Sequence, residues 1–326
     1  MRTILRVVGL ALLPALLGAM VWAQGGATGA ITGQVVDPSG AVVPGATVQI
    51  VNHATGQVAR TLKTDASGSF TALLLPVASY DVTVSAPGFA QGTVNSVDVR
   101  ITETTRMTAK LVPQTVQQQV EVQGEVETVQ TTTATTGEAI ESNTIRTLPL
   151  ATQNFQQLLS LSAGASSQLN ASAQLGRGDV RIIVNGQRED NNNYLVEGIT
   201  ATDYNVAELT NTPLPNPDVV QEFKVQTSLY DASQGRNGGG NVNAILKSGT
   251  RDFHGDVYEF FRNDKLNANE FFLKRSDQPR PVIKQNIFGG SLGGPIGKDG
   301  KLGFFFVNYQ GTRQRSGLSE IGRAHV

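Results

Sequence analysis

Between residues 28 and 112, short runs rich in β-branched residues recur about every 8–12 residues. In the run Tyr80 to Val84, the apolar residues fall on one face and the polar residues on the other, as in a strand with one buried face. Turn-forming sequences, in which Gly permits positive φ and Pro presets it, separate the runs at 37–40, 44–45, 65–68 and 87–88. The predicted strands are 31–36, 47–52, 58–64, 69–74, 80–86, 94–101 and 105–111. Their number and length predict an immunoglobulin-like β-sandwich over residues 28–112.

Hydrophobicity falls between residues 113 and 137, where Gln, Glu and Thr dominate, and this composition predicts a linker. Inside it, residues 120–122 and 126–129 alternate as a strand does. Such an extended segment can add to the edge of another protein's sheet. It can equally be a short strand of the next domain, and the sequence favours neither alternative.

Residues 138–250 have a mixed pattern that predicts a small α+β domain. The apolar spacing over 154–161 is helical, whereas 181–187, 194–198 and 219–227 have the composition of strands.

The aromatic content changes after residue 250, because residues 251–326 hold nine of the 13 phenylalanines. Aromatic strands are predicted at 254–262 and 303–309, and aromatic girdles of this kind are typical of transmembrane β-barrels. The alternative is the core of a soluble β-domain, for which three consecutive phenylalanines at 304–306 are less natural. At about 10 residues per spanning strand, three to five strands fit, so residues 251–320 are expected to be the start of a truncated barrel.

The two ends of the chain have other predicted roles. Residues 1–23 combine Arg2 and Arg6 with an apolar run and small residues before the predicted cleavage point, as a secretory signal peptide does. A membrane anchor is the alternative, but the apolar run is shorter than the roughly 20 residues of a spanning helix. The last residues, 321–326, match what a sequencing adapter would encode, so we interpret them as a sequencing artefact.

Composition excludes several classes of function. A net charge of −1 gives no electrostatic reason to expect nucleic acid as a partner. The chain has no cysteine, which excludes thiolate chemistry and disulfides. Its three histidines, His53, His254 and His325, lack the spacing of a zinc site. We therefore predict no catalytic residue, no metal and no cofactor.

Two other sets of residues are assigned structural roles. The glycine-rich stretches 235–241 and 289–297 lack the Lys and Ser/Thr of a phosphate-binding loop, and glycine there suits tight turns and close backbone approach. Four acidic residues could suggest a catalytic acid-base pair, but we interpret them as part of a solvated loop. They are Glu189, Asp190, Glu197 and Asp203.

The sandwich resembles the carboxypeptidase-regulatory-like domain. The residues that carry this resemblance are Gly33 to Asp37, Gly40, Val43 to Val48, Thr64-Asp65 and Gly68 to Phe70. Although the family name suggests a metallopeptidase, the histidines cannot assemble a zinc site. The resemblance therefore implies an accessory module without catalytic activity.

The order of the parts resembles TonB-dependent outer-membrane receptors of the Oar-like group. The motifs that carry this resemblance are Leu148 to Leu150, Asn154-Phe155, Leu158-Leu159, Val184 to Gly186, Asn191 to Gly198, Pro217 to Val225, Gly235 to Asn243, Lys247 to Thr250, Phe253 to Gly255 and Tyr258 to Asn263. By this resemblance residues 138–250 would be the plug of a barrel in the bacterial outer membrane, with the N-terminal domains on the periplasmic side.

The resemblance also implies a function and partners. The receptor would import or export a substrate, such as a carbohydrate, peptide or siderophore, without being an enzyme, and would contact outer-membrane lipid. A TonB-type energy-coupling protein would pull on a box in the linker, formed by Gln119, Val120, Glu121, Val122, Gln123 and Gly124. The alternative is an outer-membrane-anchored binding or adhesion protein without active transport, which needs no such box.

Overall fold

A computed structural model describes residues 28–114, 120–121, 125–126, 135–148, 150, 153–167, 182–202, 215–230, 237–269 and 271–316. The predicted signal peptide and the tail at 321–326 lie outside these residues. In the described part of the chain the secondary structure is mainly β, and no helix is long and apolar enough to cross a bilayer.

The N-terminal unit is a two-sheet sandwich whose seven strands confirm the seven predicted runs. These strands are β1 (Thr28–Val36), β2 (Thr47–Asn52), β3 (Val58–Lys63), β4 (Ser69–Pro76), β5 (Ala78–Ser85), β6 (Gly92–Val99) and β7 (Thr104–Lys110). One sheet has the order β4-β1-β7 and the other has the order β3-β2-β5-β6. Each sheet has one apolar face, and burying the two faces against each other forms the core.

The core of the sandwich follows from the alternation within its strands. Ile31, Ile50, Leu75 and Val97 have no exposed surface, and Tyr80 is 1% exposed. The Tyr80 hydroxyl donates to the Pro76 carbonyl oxygen at 2.8 Å, and burial raises the pKa of Tyr80 to about 12.

Two turns of the sandwich use the same side-chain mechanism. The Asp37 carboxylate accepts from the backbone N–H groups of Ser39 and Ala41 at 2.8 and 2.9 Å. The Asp65 carboxylate accepts in the same way from Ser67 and Ser69 at 2.8 and 2.9 Å. Side-chain oxygens of Asp commonly satisfy turn amides in this way. The predicted turns at 37–40 and 65–68 are therefore confirmed.

Two short strands follow the sandwich and extend its sheets rather than those of the next unit. They are β8 (Val120–Glu121), which pairs with β6, and β9 (Glu125–Val126), which pairs with β7.

The central unit is an α+β arrangement around a five-stranded sheet. Its elements are β10 (Thr136–Glu141), α1 (Ser142–Thr147), a 3-10 helix (Phe155–Leu161), β11 (Ala165–Ser167), β12 (Ile182–Val184), a 3-10 turn (Glu189–Asn191), β13 (Asn193–Val196), β14 (Ile199–Thr200), β15 (Val220–Ser228) and β16 (Asn241–Leu246). The sheet order is β10-β15-β16-β13-β14, and β11 pairs with β12. The helix predicted over 154–161 is a 3-10 helix, in which the Asn154 side chain accepts from the Gln156 amide.

The glycine tract before β16 serves close backbone approach, as predicted. A Cβ on Gly239 would lie 2.4 Å from Oδ1 of Asn192. Asn192 is 4% exposed; its Oδ1 accepts from the Gly240 amide at 2.8 Å and its Nδ2 donates to the Ile182 carbonyl at 2.7 Å. Asn192 thereby links β12 to the start of β16.

The C-terminal unit is an antiparallel meander of long strands. Its elements are β17 (His254–Asn263), a 3-10 turn (Asp264–Leu266), α2 (Phe271–Arg275), β18 (Ile283–Ile296), a 3-10 turn (Lys298–Gly300) and β19 (Gly303–Ser316). The sheet order is β17-β18-β19. Strand β17 confirms the prediction over 254–262, and β19 extends beyond the predicted 303–309.

Of the two roles predicted for the glycines at 289–297, tight turns and close backbone approach, the structure shows close approach for most of them, because they lie inside β18. They provide space for aromatic rings: a Cβ on Gly289 would lie 2.6 Å from the Tyr258 hydroxyl, and one on Gly294 would lie 2.5 Å from the Phe253 ring. Aromatic side chains that cover strand glycines help to fix register. These glycines therefore take part in strand pairing rather than in turns.

We expect Ile50→Ala to destabilise the sandwich by about 2–5 kcal/mol, because it leaves a cavity in the core. Gln49→Ala is the matched control, since the neighbouring side chain is exposed on the opposite face and should change stability by less than about 0.5 kcal/mol. The free energy of unfolding of both variants is measured by urea unfolding, with hydrogen exchange of the β5 amides as the probe. Equal effects of the two substitutions would contradict the assigned faces.

Candidate functional site

The structure places part of the predicted box on the sandwich. Val120 and Glu121 form β8, in parallel register with Gly92 and Thr93 of β6. The remaining box residues, Gln119, Val122, Gln123 and Gly124, lie outside the described residues. Strand β8 therefore belongs to a sandwich sheet and is not a strand of the central unit, which was one of the two alternatives for this segment.

Strand β9 continues the same segment onto the other sheet. Glu125 and Val126 pair antiparallel with Thr108 and Met107 of β7. Strands β6 and β7 are consecutive in the chain. Without β8 and β9, they would be edge strands of their two sheets. The two short strands therefore occupy the same side of the sandwich and supply partners for backbone groups that an edge strand leaves unpaired.

The loop between β6 and β7 also joins the sandwich to the central unit through a buried polar contact. The Ile101 amide donates to Oε1 of Glu222 at 3.0 Å. Nζ of Lys224 donates to the Ile101 carbonyl at 3.2 Å and to Oε1 of Glu103 at 2.7 Å. Glu222 and Lys224 are each only 5% exposed. Buried charges need such partners, because ions without them are strongly disfavoured away from water.

Apolar and uncharged groups complete this interface. Ile101 has no exposed surface and packs with Ile245 and Val77. Beside them, Nε2 of Gln226 donates to Oγ1 of Thr102 at 3.2 Å. The interface thus combines a small apolar contact with hydrogen bonds to one loop.

Burial raises the pKa of Glu222 above its usual range, and the nearby Glu103 carboxylate adds to this increase. The hydrogen bond from the Ile101 amide opposes it, because it favours the ionised form. The raised pKa indicates that the contact holds Glu222 in an environment unfavourable to its charge.

Sequence reasoning missed these interface residues. Glu222, Lys224 and Gln226 alternate with Phe223 and Val225, a pattern that normally marks a solvated strand face. In the structure the apolar face lies in the central core, and the sandwich loop covers the polar face. The alternation located the strand but did not reveal what covers its polar side.

The acidic residues considered as a catalytic pair do not form one. Asp190 lies 2.9 Å from Arg188 at the surface, and Oε1 of Glu197 accepts from the Leu246 amide at 2.6 Å. Asp203 lies outside the described residues. Glu197 therefore caps strand β16, which is a structural role that the solvated-loop interpretation did not include.

A different charged cluster lies between the central unit and β17. Arg146 lies 3.7 Å from both Asp218 and Asp256, and Lys247 lies 3.8 Å from Asp218. Burial and the neighbouring Asp256 carboxyl raise the pKa of Asp218. This cluster borders a cavity of about 690 Å³ that is also lined by Tyr258. Within the described residues, no group of three or more acidic or histidine side chains could hold a metal.

The three C-terminal strands have two chemically different faces. The face turned away from the central unit carries Val257 (90% exposed), Leu292 (51%), Val307 (62%) and Tyr309 (65%). The opposite face carries polar groups that pair with one another, as in the 3.0 Å hydrogen bond from the Tyr258 hydroxyl to Gln310. Apolar-out and polar-in alternation is the pattern of a transmembrane barrel wall.

Comparisons with known proteins identify domains that match the N-terminal and C-terminal units. A carboxypeptidase regulatory-like domain matches residues 30–112, and an outer membrane beta barrel domain matches residues 245–324. The TonB-dependent transporter Oar of Myxococcus xanthus is 27% identical over 340 aligned positions, which cover 98% of this chain and 30% of that protein. The chain therefore spans less than a third of the length of this relative. The predicted fold is confirmed for the N-terminal β-domain and the partial barrel.

Solved structures of receptors also align with part of the chain. The siderophore receptor PirA from Acinetobacter baumannii is 19% identical with a TM-score of 0.39, covering 55% of this chain and 24% of that receptor. The ferric enterobactin receptor from Pseudomonas aeruginosa is 19% identical with a TM-score of 0.36, covering 50% of this chain and 22% of that receptor.

We expect Lys224→Met to loosen the sandwich from the central unit, because Glu103 and Glu222 would lose their shared cation. Removing one partner of a buried ion pair costs roughly 3–5 kcal/mol. Hydrogen exchange of residues 100–103 should accelerate at least about 100-fold, while the amides of β16 stay protected. Lys110→Met, at an exposed position of β7, is the control. Unchanged protection of the loop in Lys224→Met would show that the contact does not hold the units together.

Proposed function

We propose that this chain is the N-terminal part of an Oar-like TonB-dependent transporter, a receptor that moves a substrate across the outer membrane. The energy would come from the inner membrane through a TonB-type coupling protein. The observation that carries this proposal is the similarity to a TonB-dependent transporter along 98% of the chain. This relationship is to transporters, which are not enzymes.

The central unit would act as the plug of the barrel. Its packing against the polar face of the C-terminal strands supports this role. Asn216, just before β15, donates to Asn308 of β19 at 2.5 Å, and Arg146 of α1 reaches Asp256 of β17. A plug inside a barrel needs such polar contacts, because the interior of a large barrel is polar.

The C-terminal strands would form the first part of the barrel wall in the bacterial outer membrane. Their apolar face would contact lipid, since a barrel satisfies its backbone groups between strands and turns apolar side chains outward. The match of residues 245–324 to an outer membrane barrel domain supports this location. The sandwich, and the end of the central unit that contacts it, would then lie on the periplasmic side.

The box at 119–124 would be the segment to which the coupling protein binds. An extended segment offers main-chain donors and acceptors that a partner strand can pair with. Strand β8 supports an extended conformation at Val120 and Glu121.

Deleting residues 119–124 is expected to abolish binding of the receptor to the periplasmic domain of the host's coupling protein, because the segment that this domain binds is lost. Deleting residues 128–133, an equally long polar stretch of the same linker, is the matched control and should leave capture unchanged. A pull-down with the full-length receptor, together with substrate uptake by cells, measures both variants. Capture and uptake that survive the first deletion would contradict this box and favour an anchored binding protein.

In the full-length receptor, Val257→Lys is expected to reduce insertion, because a charge on the lipid face near the bilayer centre costs about 2–4 kcal/mol. Thr312→Lys is the control, since Thr312 pairs with Ile287 on the opposite face of the sheet. The yield of folded, heat-modifiable receptor in outer-membrane fractions measures the effect. A larger loss for Thr312→Lys would reverse the assignment of the two faces.

A further inference from the structure

We propose that the C-terminal meander carries a binding site for the phosphate groups of lipid headgroups on its outward face, the face turned away from the central unit. The site is formed by Lys284, Arg313 and Arg315, which we call the cationic row. The proposal rests on the proposed function, because it requires that β17, β18 and β19 span the outer membrane with the sandwich on the periplasmic side. It adds a lipid partner of defined chemistry and the residues that bind it.

Strand register places the three cations side by side on the outward face. Lys284 of β18 is the Cα partner of Arg315 of β19. Alternate residues of a strand share a face. Lys284 lies an even number of positions from the outward-facing Leu292, and Arg313 and Arg315 lie an even number of positions from the outward-facing Tyr309. All three cationic side chains are exposed, so a ligand can reach them from outside the sheet.

The cationic row lies at the end of the strands that is far from the sandwich. At the near end, the Arg251 amide donates to the Ala54 carbonyl of the sandwich at 3.0 Å. Strand β17 begins just after this contact, at His254, and ends at Asn263, which is the Cα partner of Lys284. With the sandwich on the periplasmic side, the cationic row therefore faces the outer leaflet of the membrane.

The distance along β19 matches the thickness of an apolar membrane layer. Near the start of this strand, the Phe305 ring packs against the Phe253 ring, with centroids 6.3 Å apart, and Phe305 shares the outward face with Val307. The path from Phe305 to Arg315 is about 34 Å at about 3.4 Å per residue. A strand tilted by about 40° then rises by about 26 Å, close to the apolar band of about 25 Å in such barrels. The cationic row therefore lies where the apolar layer ends and headgroups begin.

The positive charges of the row are available to an anionic ligand. Among the described residues, no carboxylate forms an ion pair with any of the three cations. On the outward face of the described strands, the acidic side chain is Glu259, which lies on β17 rather than on β18 or β19. The Arg313 guanidinium lies 6.0 Å from the centre of the Phe288 ring, so the row directly borders the aromatic part of this face.

A lipid phosphate fits these neighbours better than a free anion does. Guanidinium groups donate paired hydrogen bonds to phosphate oxygens. Arg313 and Arg315 lie about 7 Å apart along the same face of β19, so both can bind phosphates of one layer of headgroups. The acyl chains of the same lipid would cover Leu292 and Tyr309, which a free phosphate would leave exposed. The chemistry of the face therefore points to a phosphorylated lipid.

Binding of lipid A, a phosphorylated glycolipid, to the full-length receptor in a neutral detergent tests this proposal. The matched ligand is dephosphorylated lipid A, which keeps the same acyl chains. The wild type should bind the phosphorylated form at least about tenfold more tightly, because each Lys or Arg near anionic lipid strengthens binding by about fivefold. The double variant Arg313→Gln with Arg315→Gln should lose most of this preference, whereas Arg313→Lys with Arg315→Lys should keep it. Native mass spectrometry of the folded, heat-modifiable receptor measures the bound lipid.

The matched control removes two positive charges at the opposite end of the same strands. Lys298 and Lys301 are exposed in the connection between β18 and β19. The variant Lys298→Gln with Lys301→Gln should bind both lipids as the wild type does, which separates the cationic row from a general effect of charge. If the double arginine variant does not fold, Lys284→Gln tests the same row and should lower the preference by about fivefold.

Three outcomes would overturn the proposal. The wild type could bind the two lipids equally, which would show that the cations are only solvated. The lysine control could lose the preference while the arginine variant keeps it, which would place the site at the other end. Inorganic phosphate could displace lipid A at equal concentration, which would show that a free anion is the ligand.

Failure of the proposed function is distinguishable from failure of this inference. A receptor that prefers phosphorylated lipid A but takes up no substrate contradicts the proposed transport and retains the lipid site. A receptor that transports a substrate and shows no preference between the two lipids retains the proposed function and contradicts the lipid site.

Discussion

The edges of β-sheets carry unpaired backbone groups, and the need to satisfy these groups explains several contacts of the described structure. An open edge leaves N–H and C=O groups without partners and attracts other strands. In the sandwich, β8 and β9 pair with the edges of β6 and β7. In the barrel unit, β17, β18 and β19 pair along nearly their full lengths. A membrane enforces this pairing most strictly, because no water is available to the backbone there.

The same requirement links the sandwich to the central unit. A loop at the end of a sandwich has backbone groups that no sheet satisfies, and the Ile101 amide and carbonyl are two of them. Glu222 and Lys224 satisfy both, and the loop in return removes two charged side chains from water. Since unpaired buried charges are strongly disfavoured, each unit depends on the other at this contact. This interdependence fixes the sandwich on the central unit without a large apolar interface.

The sequence by itself determined the sandwich, because period-two alternation and turn residues are local signals that each strand carries alone. Tyr80 and Val82 both point into the core, because residues two positions apart lie on the same face of a strand. The sequence also indicated the order of the units and the aromatic change after residue 250, and the resemblance supplied the family. At 289–297 the sequence did not decide between tight turns and close approach, because a glycine permits both and composition does not distinguish them.

Only the tertiary structure decided what covers each edge and each polar face. Glu222 and Lys224 have the pattern of solvated residues, and their burial depends on a loop more than 100 positions away in the sequence. The pairing of Val120-Glu121 with β6 and of Glu125-Val126 with β7 likewise depended on which sheet edge was near. Local periodicity specifies which way a side chain points, whereas the partner that meets it is set by packing between distant segments.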